Sequence, residues 1–224
     1  MSYTPPDLKT FAGAFPPTRK PLHGRTVTLQ PIQESHFAEL YACLDVANFH
    51  TSPIWRYVPY EPVDSYADWV KLATQLIHAE PNCYYTVLLN HAKPVGMAAL
   101  IEVQPKIGNA EVGALLFSPA MQRTTASTET VYLLLKHAFE DLGNRRVAWK
   151  CHSENEASKQ AAARFGFQAE GVWRNHYLVH GKNRDSAWFS MIDTEWLQRK
   201  RAFESWLEPD NFEDGKQKRR LQDV

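Results

Sequence analysis

At 224 residues and 44% hydrophobic content, the chain is sized for one globular domain with a real core, not for a disordered or fibrous protein. Lys plus Arg and Asp plus Glu both number 25, so the formal charge is zero, which argues against a dedicated nucleic-acid binder. Three scattered cysteines (Cys43, Cys83, Cys151) lack metal-type spacing and suit a reducing, cytoplasmic compartment, and no apolar run approaches the ~20 residues that cross a bilayer.

Residues 1–21 hold Pro5, Pro6, Pro16, Pro17 and Pro21, which predicts an extended arm, because proline fixes φ and removes a donor. The arm is polar and unlike a signal peptide, and Tyr3, Phe11 and Phe15 are the side chains able to pin it. A first strand is expected over Thr26 to Gln30. A helix follows over about Glu34 to Leu44, where Phe37, Leu40, Tyr41 and Leu44 fall at helical spacing. His50 to Pro62 is aromatic, broken by prolines and irregular. The next helix spans about Ser65 to His78, with Asp64 as its expected N-cap.

Cys83 to Leu89 and Val95 to Val103 alternate as strands around a turn at Asn90-His91-Ala92-Lys93. A fourth strand, about Ala110 to Phe117, empties through Ser118-Pro119 and Gln122-Arg123-Thr124-Thr125-Ala126-Ser127 into a helix reaching Leu142, with Gly143 at the C-cap. A strand that empties into a helix N-terminus makes an anion site, because first-turn N–H groups are unpaired and the dipole adds partial positive charge; an ordinary βα turn is the other reading of this segment. Strand Arg146 to Cys151 and helix Glu156 to Phe165 follow. Two closing strands, Gln168 to Val179 and Arg184 to Ile192, flank a hairpin at His180-Gly181-Lys182-Asn183. A last helix covers Thr194 to Leu207, and the mixed-charge tail from Glu208 is expected to be solvated. Hairpins mixed with βα units give an α+β or α/β domain around one central sheet.

Asn155-Glu156-Ala157-Ser158, with Gly166-Phe167 eleven residues after the Asn, resembles the closing motif of the GNAT superfamily of acyl-coenzyme A dependent N-acyltransferases. Gln122, with small residues three and five positions on, resembles that family's coenzyme A loop. Leu22 to Leu29, Glu170-Gly171-Val172 and Gly181-Lys182-Asn183-Arg184-Asp185 resemble its ribosomal-protein N-terminal acetyltransferase branch. The resemblance covers roughly residues 22–193. It implies the GNAT fold, a central, mostly antiparallel sheet flanked by helices, here over residues 22–207 between the arm and the 208–224 tail. Two departures stand out. Thr125 and Ser127 replace the loop glycines, and Ala162 stands where many relatives carry a Tyr.

The implied activity moves an acetyl or other short acyl group from acetyl-CoA, or another acyl-CoA such as succinyl-CoA, to a primary amine in a ternary complex. The implied cofactor contacts are Leu115, Leu116 and Phe117 along the pantetheine, with the N–H of Leu116 or Phe117 polarising the carbonyl. Gln122, Arg123, Thr124, Thr125, Ala126 and Ser127 would hold the diphosphate, and Asn155 and Ser158 would add contacts. Ser158 is the expected donor to the leaving thiolate. Glu170, His176, Tyr177 and Asp185 are the candidates for taking the amine proton, and His176 has the most suitable ordinary pKa. Trp55, Tyr57 and Tyr60 would border the acceptor, either a small-molecule amine or a protein N-terminus. A homodimer fits the resemblance; nucleic acid, membrane and metal are not expected. The alternative reading is a coenzyme A binding or regulatory module that has lost transfer. His137 and Trp149 read as packing residues.

Overall fold

The computed structural model describes residues 3–179 and 181–224. His180, where the hairpin turn was expected to begin, lies outside the described residues. The chain forms two compact units. One holds Pro16–Val103 and Glu111–His137; the other holds the residues up to Phe15, Gln104–Ala110 and Ala138–Val224.

In the first unit, β1 (Leu22–His23), β2 (Val27–Pro31), β3 (Cys83–Leu89), β4 (Lys93–Gln104) and β5 (Asn109–Phe117) lie side by side in that order. The β1–β2, β2–β3 and β3–β4 ladders are antiparallel; short turns join β1 to β2 and β3 to β4, while the long connection from β2 to β3 carries two helices. Helices α1 (Phe37–Cys43) and α2 (Tyr66–Ile77) bury Phe37, Leu40, Trp69, Ala73 and Leu76 in one apolar cluster with Ile32, Leu44, Trp55, Met97 and Leu116. Residues 34–36, expected at the start of α1, are a separate 3-10 turn. The α2 N-cap is Ser65 rather than Asp64: the Ser65 hydroxyl accepts the Asp68 N–H at 3.1 Å, while Asp64 pairs with His50. A shorter hydroxyl side chain reaches the N3 donor one residue closer to the helix.

Helix α3 (Thr125–Lys136) follows β5, and residues His137–Asp141 widen into a π turn before Gly143 (φ 74°) ends the run. Glu129 on α3 is buried. Its carboxylate accepts the Arg25 N–H at 2.5 Å, the Thr26 N–H at 2.8 Å and the Thr26 hydroxyl. The contact needs Gly24, because a Cβ there would lie 2.6 Å from Glu129 Cδ.

In the second unit, β6 (Arg146–His152), β8 (Lys182–Ile192) and β7 (Gln168–Val179) form antiparallel ladders in that order. Helix α5 (Asp193–Leu207) brings Trp196 and Phe203 to the aromatic core of this unit, and α4 (Glu156–Arg164) runs into Phe165 at its C-cap. Phe139 stacks on Trp196, Phe165 on Phe203, and Trp149 meets Phe165 and Phe167. The arm is fixed by Phe11, whose ring lies 5.3 Å from the Arg145 guanidinium, and by backbone bonds from Ala14 and Phe15. The Phe15 side chain itself is exposed. Most side chains after Glu208 are exposed, yet the segment is anchored: Leu221 is buried, and buried Asn211 bonds to the backbone of Trp206 and Arg219. A two-residue hairpin, β9 (Phe212–Glu213) with β10 (Lys216–Gln217), holds part of the basic run.

Candidate active site

The first unit supplies a strand end, a loop and a helix start. Along β5, Ala114 takes φ 48°, a left-handed value in the middle of a strand. An L-residue held in that region stores roughly 1–2 kcal/mol. Ala114 falls one residue before Leu115, at the edge of the expected Leu115–Phe117 segment. The Leu116 side chain is core, and its carbonyl would lie 2.6 Å from a Cβ at Gly96, so β4 approaches β5 through a position only glycine permits.

Beyond β5, the Ser118 N–H donates to the Val95 carbonyl at 3.0 Å, and the Gln122 amide donates back to the Phe117 carbonyl at 2.8 Å. The exposed Gln122 side chain is therefore a brace for the loop. Arg123 takes φ 61°, whereas Thr125 and Ser127 keep negative φ inside α3. The one left-handed residue of this loop is thus Arg123, which explains how the helix start tolerates both replacements.

Thr124 is the N-cap, but its hydroxyl donates to the Met121 carbonyl at 2.6 Å and makes no capping bond. The Ser127 hydroxyl donates back to the Thr124 carbonyl at 2.7 Å. No side chain caps this helix. Its first-turn N–H groups keep their capacity for an anion, and no acidic residue stands in the first turn.

In the same unit, Tyr60 and Tyr84 share a side-chain hydrogen bond, and burial pushes both phenols up. The nearby Glu102 and Glu111 carboxylates push Tyr84 further up. Glu111, on β5, is 2% exposed. Tyr57 carries the Arg56 guanidinium 5.3 Å from its ring centroid. Trp55 differs from expectation: it is 3% exposed, stacks on Phe49 and donates its indole N–H to the Leu44 carbonyl at 2.8 Å. It supports the 55–60 segment from inside.

The second unit gathers the titratable candidates. Asn155 caps α4, its Oδ1 accepting the Ser158 N–H at 3.1 Å. The Ser158 hydroxyl accepts the Trp149 indole N–H at 3.0 Å and also bonds the Cys151 side chain, whose thiol is pushed up mainly by burial. Glu170 receives the Arg146 guanidinium at 2.5 Å and the Ser190 hydroxyl at 2.7 Å. Burial alone would raise its carboxyl, but Ser190 and Arg146 outweigh that and hold it below the usual carboxylate range. A carboxylate so engaged is a poor base.

His176 bonds Ser186 through Nδ1 at 3.0 Å and packs among Trp173, Tyr177 and Trp188. Asp185 accepts the Asn175 N–H at 2.7 Å and so pins a bulge, with Asn175 at φ 51°. Arg174, Asn175 and Asp185 line an open polar cavity of about 660 Å³. Sequence reasoning missed Glu111, Lys150 and Arg184. Only cross-strand register brings Lys150 and Arg184 to Tyr177, and no local pattern carries that signal.

Residues 26–168 match the acetyltransferase (GNAT) domain family. The chain belongs to the GNAT acetyltransferases. A GCN5-related N-acetyltransferase structure from Brucella melitensis is 35% identical, with a TM-score of 0.91 over 96% of this chain and 98% of that one. A probable GNAT-family acetyltransferase from Chromobacterium violaceum ATCC 12472 is 34% identical, with a TM-score of 0.77 over 88% of this chain and 98% of that one. YdaF of Bacillus subtilis (strain 168), provisionally named a ribosomal N-acetyltransferase, is 27% identical over 161 residues, 71% of this chain and 87% of its own. The chain is accordingly an acyl-CoA dependent N-acetyltransferase of the GNAT fold, a mixed sheet of mostly antiparallel strands flanked by helices. Among the described residues no helix is long and apolar enough to cross a membrane, and no group of three His, Cys, Asp or Glu side chains is placed to hold a metal ion.

Proposed function

We propose that the α3 start binds the diphosphate of acetyl-CoA and that the acceptor is an α-amine, such as a protein N-terminus or a small primary amine. The observation that carries this reading is the uncapped start of α3, where Thr124 and Ser127 turn their hydroxyls to carbonyls and leave the first-turn N–H groups to a ligand. Bound acetyl-CoA supplies an activated acyl carbon. The N–H groups of Arg123 to Ser127 neutralise the diphosphate, and the Leu115–Phe117 backbone, next to the left-handed Ala114, faces the pantetheine and its carbonyl.

The amine must be neutral to attack. An α-amine has pKa about 7.7–8.0 and a lysine about 10.4, so the lysine costs roughly 3.5 kcal/mol more to deprotonate at ~1.36 kcal/mol per unit. An α-amine therefore manages with an imidazole. His176, held through Nδ1 by Ser186, takes that proton at Nε2. Ser158 is the candidate to protonate the leaving sulfur. Tyr57 and Tyr60 belong to the acceptor side of the first unit. The provisional name of YdaF favours a protein N-terminus. Use of succinyl-CoA, cytoplasmic residence and a homodimer are part of the same reading.

Thiol release from acetyl-CoA, measured against peptides with free N-termini, the same peptides N-blocked, polyamines and lysine side-chain amines, tests this function. Release is expected with free α-amines and not with the blocked peptides. If coenzyme A binds but no amine elicits release, the chain is a binding module and the transferase reading fails.

A further inference from the structure

Opposed residues on neighbouring strands point to the same face of a sheet. In the β6–β8–β7 ladder, Lys150 stands opposite Trp188, Ser186 opposite both His152 and Trp173, and Arg184 opposite Tyr177. These side chains share one face of the second unit. Trp149, next to Lys150 and so on the other face, meets Phe165 and Phe167. The pairing shifts between Trp173 and Tyr177: four residues along β7 span two along β8. That bulge, pinned by Asp185 on the Asn175 N–H, brings the Tyr177 phenol to Lys150 two strands away.

The face gathers hydrogen-bond donors. Lys150 Nζ lies 2.9 Å from Tyr177 Oη and 5.0 Å from the Trp188 ring centroid. An ammonium has three donors and no acceptor, so the bond runs from Nζ–H to Oη, and the phenol's own proton needs a different acceptor. The Trp188 indole Nε1 is buried and meets no acceptor among the described residues. An indole nitrogen can only donate, and leaving a buried donor unmade is costly. The Arg184 guanidinium, on a residue only 7% exposed, lies 5.3 Å from the Tyr177 centroid, so a second cation backs the same ring. Trp173 is 56% exposed and tilts against Trp188, their centroids 4.6 Å apart.

We infer that this face binds the carboxylate of a small acid with a flat apolar body. The Trp188 Nε1–H and the Tyr177 O–H are the two donors for its oxygens, and Lys150, which touches both rings, supplies the opposite charge. An ionised carboxylate is acceptor-only and takes two donors at once. The Trp173 and Trp188 rings hold the flat body, and Trp173, the exposed one, turns aside to admit it. A planar, singly charged anion suits a site walled by rings, whereas a phosphate carries more charge into the same apolar surroundings. The site lies within the second unit and does not depend on the acyl donor or on which amine is acetylated.

The test is a titration of the isotope-labelled full chain, without acetyl-CoA, followed through the tryptophan indole N–H resonances. The probes are phenylacetate, its neutral isostere phenylacetamide, and inorganic phosphate, and calorimetry gives the affinities. Phenylacetate should move the Trp188 indole proton downfield, as a new acceptor does. Phenylacetamide should bind about tenfold more weakly or less, because a hydrogen bond to a charged group is lost. Phosphate should leave the Trp188 signal in place. Trp188→Phe, Tyr177→Phe and Lys150→Met should each weaken phenylacetate about tenfold, while Leu178→Ala, an exposed residue of the same strand, should bind it as wild type does. The inference is overturned if millimolar phenylacetate leaves the Trp188 resonance unmoved, if the amide binds as tightly as the acid, if phosphate moves Trp188 as far, or if Trp188→Phe keeps wild-type affinity. If Lys150→Met melts well below wild type, Tyr177→Phe, which removes a single oxygen, decides in its place: weakened binding supports the inference and unchanged binding contradicts it.

Discussion

Glu170 shows how one side chain's partners decide its chemistry. Its position on β7, beside the candidate proton-transfer residues, marks it as a base in the sequence, yet Arg146 and Ser190 hold both of its oxygens. A carboxyl whose folded pKa lies below its unfolded value, about 4.3, binds protons less well in the native state. Its stabilisation is complete above the unfolded pKa and is lost as pH falls through the folded one. Chemical denaturation between pH 6 and 2.5 should show this loss in the wild type and a smaller one in Glu170→Gln, while the variant keeps measurable transfer. An identical pH dependence in the two proteins would contradict the ion-pair role.

At the scale of elements, the placement of α3 depends on Glu129. Its carboxylate satisfies two backbone N–H groups between β1 and β2, and Gly24 is there because any Cβ would collide with it. Glu129→Ala removes the acceptor for both donors. The expected cost is about 2–3 kcal/mol, since buried donors lose their partner and a charge-assisted pair is lost with them. Denaturant titration measures it, and a loss under 0.5 kcal/mol would show that water replaces the carboxylate freely. The α3 start is affected in the same experiment, because this contact fixes the helix.

For the whole molecule, what the sequence shows follows the range of each interaction. The order of strands and helices was legible, because each carries its own periodicity, as Phe37 and Leu40 do in α1 and Trp69, Ala73 and Leu76 in α2. The strand-to-helix junction of β5 and α3 was legible too, since it is made by consecutive residues. Trp55 was not: a tryptophan in an irregular, proline-broken segment has no periodicity to reveal its inner face, and stacking on Phe49 decides it. Lys150 and Arg184 were invisible for a related reason. Twenty-seven residues separate Lys150 from Tyr177, and a two-residue bulge sets whether they meet.

The uncapped start of α3 is the proposed seat of the acetyl-CoA diphosphate. Titration calorimetry of coenzyme A and of pantetheine, which lacks the diphosphate, into wild type and Thr125→Asp tests it most directly. An acidic residue in the first helical turn favours the helix itself, so the variant should melt no lower than wild type. It should nevertheless bind coenzyme A about tenfold more weakly, roughly 1.4 kcal/mol, with pantetheine affinity unchanged. Equal coenzyme A affinity in the two proteins, or wild-type binding of pantetheine as tight as coenzyme A, would contradict the claim.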